Sequence, residues 1–208
     1  MTPGPTTIRK CSVCSKSIVE HTIGSGNTFG ATFWTDGKGK APMLPDQPWL
    51  VMCPHCHAPL WIDELEQLGK IEPWGKRDGR FKDAITYELP SLDDYFAILE
   101  KGLETPEKVR YVRLRAWWAG NDTRRNKETE IHISAREASN LTAFAQMLAE
   151  SDANDLVMKA EVMRELGRFD DARTLLASSV DSNISQAVAI IRSLVEKADP
   201  YVREMHFK

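Results

Sequence analysis

The chain has 208 residues, 42% of them apolar and 27% charged, with a formal net charge of −3 and a pI near 6.0. Such a composition suits a globular protein able to bury a core, as one large domain or as a small module joined to a larger one. Opposite charges are near balance in both halves, so no basic domain or tail is set aside for nucleic acid, and no stretch approaches the roughly 18 apolar residues of a membrane span. The opening MTPGPTTIRK is polar and proline-rich, and residues 1–7 are expected to be disordered. With no apolar run of signal-peptide length behind it, the expected compartment is a reducing cytoplasm, where disulfides seldom persist and no membrane partner is expected.

The four cysteines fall in two pairs, CSVC at 11–14 and CPHC at 53–56. A Cys-x-x-Cys turn aims two thiolates at one ion, and two such turns supply the four ligands of a tetrahedral zinc site. Cys11, Cys14, Cys53 and Cys56 are therefore the expected metal ligands, with zinc in a structural role. A thioredoxin-like redox pair is the weaker reading, because that motif opens a helix in a βαβ unit and no such pattern surrounds CPHC. The deaminase arrangement of catalytic zinc fails, since His21 is followed by Thr22 and Ile23 and no His-x-Glu precedes the second pair. His55 and His57 are alternative ligands, but four thiolates leave them as bystanders.

Strand-forming runs flank the pairs: SIVEHTI after the first, then NTFGATFWTDG, then PWLVM before the second. Asp36-Gly37 reads as a hairpin turn. GSGNTFG at 24–30 leads into a β-like segment rather than a helix, so its glycines serve turns and not a phosphate loop. Two paired-cysteine turns around a β-hairpin resemble a zinc ribbon, and the resemblance covers residues 8–62. The 38-residue gap between the pairs exceeds the usual ~15–20, which implies a longer hairpin and the loop GKGKAPMLPDQP. Residues 63–90, charged and glycine-containing, are expected to be a linker with a short helix at Asp63–Leu68.

From residue 91 to 208 the pattern is helical. Ser91 caps a helix that stops at Gly102, Thr105-Pro106 starts the next, and Ser134 with Glu137 forms a capping box. Further helices are expected at about 154–166, 170–180 and 183–197, in antiparallel hairpins because the connections are short. LVMKAEVMRELGRFDDARTLLASSV, residues 156–180, resembles a tetratricopeptide repeat: Ala160 and Ala172 take the small-residue places, and Gly167 and Phe169 the inter-helix turn. Leu156 stands where that repeat usually has an aromatic. An ordinary helical bundle is the alternative. The expected fold class is thus α+β: a small β zinc ribbon followed by an all-α, tetratricopeptide-like domain. The architecture is similar to uncharacterised bacterial proteins that couple Cys-x-x-Cys modules to such helices.

RYVRLRAWWAG, residues 110–120, is apolar on two helical faces, and its third face carries Arg110, Arg113 and Trp117. Arginine beside tryptophan is a composition enriched at binding hot spots, so these three are the candidate partner-binding residues. Seven basic and two acidic residues lie between Thr105 and Lys127, and pairing with Glu128, Glu130 or the acidic helices would satisfy them equally. No Gly-x-Ser-x-Gly elbow, His-Glu-x-x-His or P-loop is present. The expected function is a non-enzymatic adaptor whose partner is another protein. The alternatives are a nucleic-acid-associated regulator using the ribbon lysines and the 105–127 arginines, and an enzyme with a site assembled from scattered residues.

Overall fold

The computed structural model describes residues 1–75, 79–125, 132–177 and 184–207. Its strands are β1 (Thr2–Lys10), β2 (Ser17–Ser25), β3 (Thr32–Trp34), β4 (Gly39–Lys40), β5 (Leu50–Met52), β6 (Pro59–Trp61), β7 (Gln67–Ile71), β8 (Ile85–Thr86) and β9 (Glu204–Met205). Its helices are α1 (Leu92–Lys101), α2 (Pro106–Asp122), α3 (Ala135–Ala145), α4 (Ala153–Glu165), α5 (Phe169–Ala177) and α6 (Ser185–Glu196). The fold class is α+β, as expected. None of these helices is long and apolar enough to cross a membrane. The chain divides into two compact units, Met1–Ala31 with Lys40–Asp93, and Thr32–Gly39 with Asp94–Lys208.

In the first unit, β1 and β2 pair antiparallel with Ile8 opposite Val19 and Lys10 opposite Ser17. The four-stranded order is β7-β1-β2-β8, and β5-β6 form a separate hairpin. Two expectations are corrected here. Of residues 1–7, expected to be disordered, residues 2–7 belong to β1, where Thr7 and Ile8 are buried. The register shifts between Pro3 and Thr6, which lets prolines that cannot donate sit at an irregularity, and Thr22 Oγ1 donates to the Pro5 carbonyl at 2.6 Å. The 63–90 segment is not a bare linker. Its expected helix is only a 3₁₀ turn at Ile62–Glu64, and Gln67–Ile71 follows as a strand on β1, with Thr7 opposite Lys70. Polar residues suit that strand because much of it faces solvent.

The second unit takes one segment from early in the chain. The Asp36-Gly37 turn forms as expected, with Gly37 at φ +77°, a left-handed conformation that glycine adopts without a Cβ penalty. It does not belong to the cysteine module, however. Thr32–Gly39 joins the helices, and β3 pairs antiparallel with β9, Phe33 opposite Met205 and Trp34 opposite Glu204.

The helix starts follow local chemistry. The Thr105 side chain accepts from the Lys108 amide, and Ser134 and Glu137 form the reciprocal capping box. α4 and α5 form a hairpin around Gly167, whose φ of +74° ends α4. Ala160 and Ala172 are both fully buried, as two closely approaching helices require. The end of the 156–180 segment, Ser178–Val180, lies outside the described residues, as do Lys127, Glu128 and Glu130. Trp117, Leu141, Phe144, Val162, Leu176 and Ile191 form the core of this unit.

Candidate metal centre

Each cysteine pair occupies the turn of a β-hairpin. Cys11–Lys16 joins β1 to β2, and Cys53–Ala58 joins β5 to β6. The two turns are built alike. The Cys11 amide donates to the Lys16 carbonyl at 2.9 Å, and the Cys53 amide donates to the Ala58 carbonyl at 2.9 Å. Ser15 and His57, each just past the second cysteine of its pair, both have positive φ, +61° and +55°. That left-handed residue curls the backbone so that its amide returns to the first cysteine: Ser15 N donates to Cys11 O at 3.0 Å and His57 N to Cys53 O at 2.9 Å. Cys11 Sγ also accepts from the Val13 and Cys14 amides, both at 3.4 Å.

The four sulfurs lie within 4.8 Å of one another. Cys11 Sγ is 3.9 Å from Cys56 Sγ, and Cys14 Sγ is 3.7 Å from Cys53 Sγ. Four sulfurs ~2.3 Å from a central ion would stand about 3.8 Å apart at tetrahedral angles, so the arrangement fits one four-coordinate ion. It does not fit two disulfides, whose sulfurs would be bonded at ~2.05 Å. Cys11 and Cys53 have no solvent exposure and pack with Ile18, Val51, Leu60, Ile62 and Leu65.

Without an ion, such crowding divides the thiols. Burial pushes Cys53 up to about 12 against the amides of His55 and Cys56. Cys11 is buried too, but the Cys14 and Val13 amides aimed at its sulfur outweigh burial and bring it down to about 7. Four thiolates in one pocket need a cation between them. The histidines stay outside the set: His55 Nε2 is 3.2 Å from the Ser17 carbonyl, and the exposed His57 faces Glu88 at 3.7 Å.

The three residues expected to bind a partner make contacts within the helical unit. Trp117 is 3% exposed, packs on Phe144 and donates through Nε1 to Glu165 Oε2 at 2.9 Å. Arg110 pairs with Asp155. Arg113 Nη1 donates to Asn140 Oδ1 at 3.1 Å, and Asn140 returns a bond to the Arg113 carbonyl at 3.1 Å. These three side chains hold α2 against α3 and α4, Trp117 buried and Arg110 and Arg113 half-buried. Their partners come from helices distant in sequence, in line with the expected alternative that acidic helices satisfy the basic bias.

A second constellation went unread in the sequence. Asp36, on the inserted hairpin, accepts from Arg125 Nη1 at 3.2 Å, Arg125 Nη2 at 2.5 Å and Asn121 Nδ2 at 3.0 Å. Arg164 is fully buried: Nε and Nη2 engage Glu161 at 2.7 and 2.5 Å, and Nη2 reaches Thr35 Oγ1 at 3.2 Å and the Tyr201 carbonyl at 3.0 Å. Between these pairs lies Glu165, whose oxygens accept from Trp117 and Asn121. Burial, then the neighbouring charges of Glu161 and Asp36, push its carboxyl up to about 8. On a sequence, Glu161, Arg164 and Glu165 look like a solvated i, i+3, i+4 face; α2, the hairpin and the 199–201 backbone together cover it.

No protein-family model, curated protein or solved structure matches the chain.

Proposed function

We propose that the chain is a zinc-stabilised adaptor: a structural Zn²⁺ on Cys11, Cys14, Cys53 and Cys56 fixes a ribbon-like β unit, and the chain's surface holds another protein. The observation that carries the zinc assignment is the convergence of all four thiol sulfurs within 4.8 Å. A complete set of four protein ligands fills a tetrahedral ion and leaves no open position for substrate or water, which favours a structural over a catalytic role. The α4–α5 hairpin, with Ala160 and Ala172 at its contact, supports a tetratricopeptide-like reading of the helical unit.

For the partner, a protein is favoured over nucleic acid. Arg110 and Arg113 of α2, and Arg124 and Arg125 just beyond it, are spent on Asp155, Asn140, Glu137 and Asp36, whereas large apolar side chains are presented to solvent in the β unit, with Trp74 89% and Phe29 82% exposed. Exposed tryptophan is the residue type most enriched where proteins meet. Two measurements test the proposal. Metal analysis of reduced protein should find one zinc per chain, lost in the Cys53→Ser Cys56→Ser double variant. Capture from lysate should be unaffected by nuclease and reduced in a Trp74→Ala Phe29→Ala variant. Capture that disappears on nuclease treatment would favour a nucleic-acid partner instead, and turnover lost with the metal would favour an enzyme.

A further inference from the structure

We propose that the helical unit binds a small organic ammonium ion in the cavity beside Glu165. The site is separate from the cysteine cluster and does not depend on the adaptor reading. The cavity has a volume of about 340 Å³, within the range of small-molecule sites, and Glu165, Asn121, His132, Ile133, Tyr201 and Val202 contribute to its wall.

Four carboxylates are buried in this region: Asp36, Glu137, Glu161 and Glu165. Three of them have a guanidinium of their own. Asp36 pairs with Arg125, Glu137 with Arg124 and Glu161 with Arg164. Those guanidiniums are committed. Arg164 spends its remaining donors on Thr35 and the carbonyls of Asp199 and Tyr201, Arg125 its Nε on Asp122, and Arg124 its Nε on Asn121 Oδ1. Glu165 is left with two neutral donors, Trp117 Nε1 and Asn121 Nδ2, and among the described residues no cationic side chain lies within ion-pair distance of it.

A buried carboxylate in that position needs a positive charge. In the empty protein a proton supplies it, in keeping with the elevated carboxyl of Glu165. A ligand that brings its own charge into the cavity takes the proton's place. The rest of the wall selects the class. The exposed His132 ring stands 5.8 Å from the Tyr201 ring, which already carries the Arg203 guanidinium 5.4 Å from its centroid, so His132 is the aromatic face offered to an organic cation. Ile133 and Val202 offer apolar surface to its carbon skeleton. A single carboxylate is too few oxygens for Ca²⁺ or Mg²⁺, and a carboxylate repels an anion. Arg124 also reaches the cavity, but its charge is matched by Glu137 at 2.5 Å.

The test is calorimetric titration of the full metal-loaded chain with phenethylamine and with its uncharged counterpart 2-phenylethanol, at neutral pH in two buffers of different ionisation enthalpy. The amine should bind one site, the alcohol roughly tenfold or more weakly. Because the ammonium displaces the proton on Glu165, amine binding should release close to one proton to the buffer. Glu165→Gln keeps the shape and an acceptor for Trp117 and Asn121, and should weaken the amine roughly tenfold or more while leaving the alcohol unchanged. Equal affinities for amine and alcohol, undiminished amine binding by Glu165→Gln, or no binding up to ~10 mM would overturn the proposal and leave Glu165 holding only a proton. Should Glu165→Gln fail to fold, His132→Ala changes an exposed ring and serves instead: several-fold weaker amine binding is expected, and unchanged affinity overturns the placement.

Discussion

Glu165 should make the helical unit less stable as pH rises, and the replacement Glu165→Gln should remove that dependence. The unfolded carboxyl titrates near 4.5, while burial and the nearby charges of Glu161 and Asp36 raise the folded one to about 8. Below the lower value both states are protonated and Glu165 adds no pH dependence. Between the two, the unfolded chain releases its proton and the folded chain keeps it, so stability falls by about 1.4 kcal/mol per pH unit. Above the upper value the loss is complete. The whole window would amount to ~5 kcal/mol, a ceiling because Glu161 and Asp36 share the same field. Between about pH 5.5 and about pH 7.5, the wild-type chain should lose ~2–3 kcal/mol relative to Glu165→Gln. The assay is urea unfolding of both proteins at each pH, followed by near-ultraviolet circular dichroism. Taking the difference between the two proteins cancels the titrating groups that do not interact with Glu165. A difference that does not change across the interval would refute the reasoning, because it would mean that Glu165 is ionised in the folded state or that solvent reaches it.

The other predictions address the remaining supports of the fold. Chelation, or the Cys53→Ser Cys56→Ser double variant, should unfold the β unit first, since metal binding supplies much of the folding free energy of so small a module; loss of helical ellipticity before the near-ultraviolet signal of the β unit would contradict this. Leucine at Ala160 or Ala172 should overpack the α4–α5 contact and cost roughly 1–3 kcal/mol, and unchanged melting temperatures for both would remove the close helix contact. Asp36→Ala would leave Arg125, whose side chain is 7% exposed, without its buried carboxylate and with only the half-exposed Asp122, and should cost about 3–5 kcal/mol in chemical denaturation. A loss below ~1 kcal/mol would place Asp36 among solvated surface pairs.

What the sequence disclosed was whatever is encoded over a few residues. The cysteine turns, the Asp36-Gly37 hairpin, the Thr105 and Ser134 caps and the α4–α5 hairpin each depend on a local pattern, and each forms where expected. The errors all concern pairing at a distance. MTPGPTTI looked disordered because its prolines discourage a central strand, yet β2 and β7 flank it and the Pro3–Thr6 irregularity accommodates them. The Asp36 hairpin lies between the two cysteine pairs in sequence, so nothing local announced that it packs with α2 and the 199–205 tail. Arg110, Arg113 and Trp117 were legible as a helix face, but not the Asp155, Asn140 and Glu165 side chains that cover them. The four cysteines were found because metal ligation constrains spacing. The Glu165 region was missed because buried and solvated ion pairs share the same i, i+3 and i, i+4 spacing.

The two units are held by opposite means, and the contrast bears on what each is for. The β unit has a small core in which two cysteines are themselves core residues, packed with Ile18, Val51 and Leu60. Without an ion between them, these thiols stand protonated or mutually repelling inside the apolar cluster. The helical unit has an ample apolar core, and yet it buries three arginine–carboxylate pairs. Hydrophobic residues of similar volume would serve stability as well or better, because desolvation offsets most of the attraction in such pairs. What charge pairs add is selectivity. Asp36 matches only the Arg125–Asn121 position, and Arg164 holds Thr35 and the 199–201 backbone at once. They fix where the hairpin and the tail sit on the helices, and in doing so they leave Glu165, among the described residues, with the neutral donors Trp117 and Asn121 and no guanidinium within ion-pair distance.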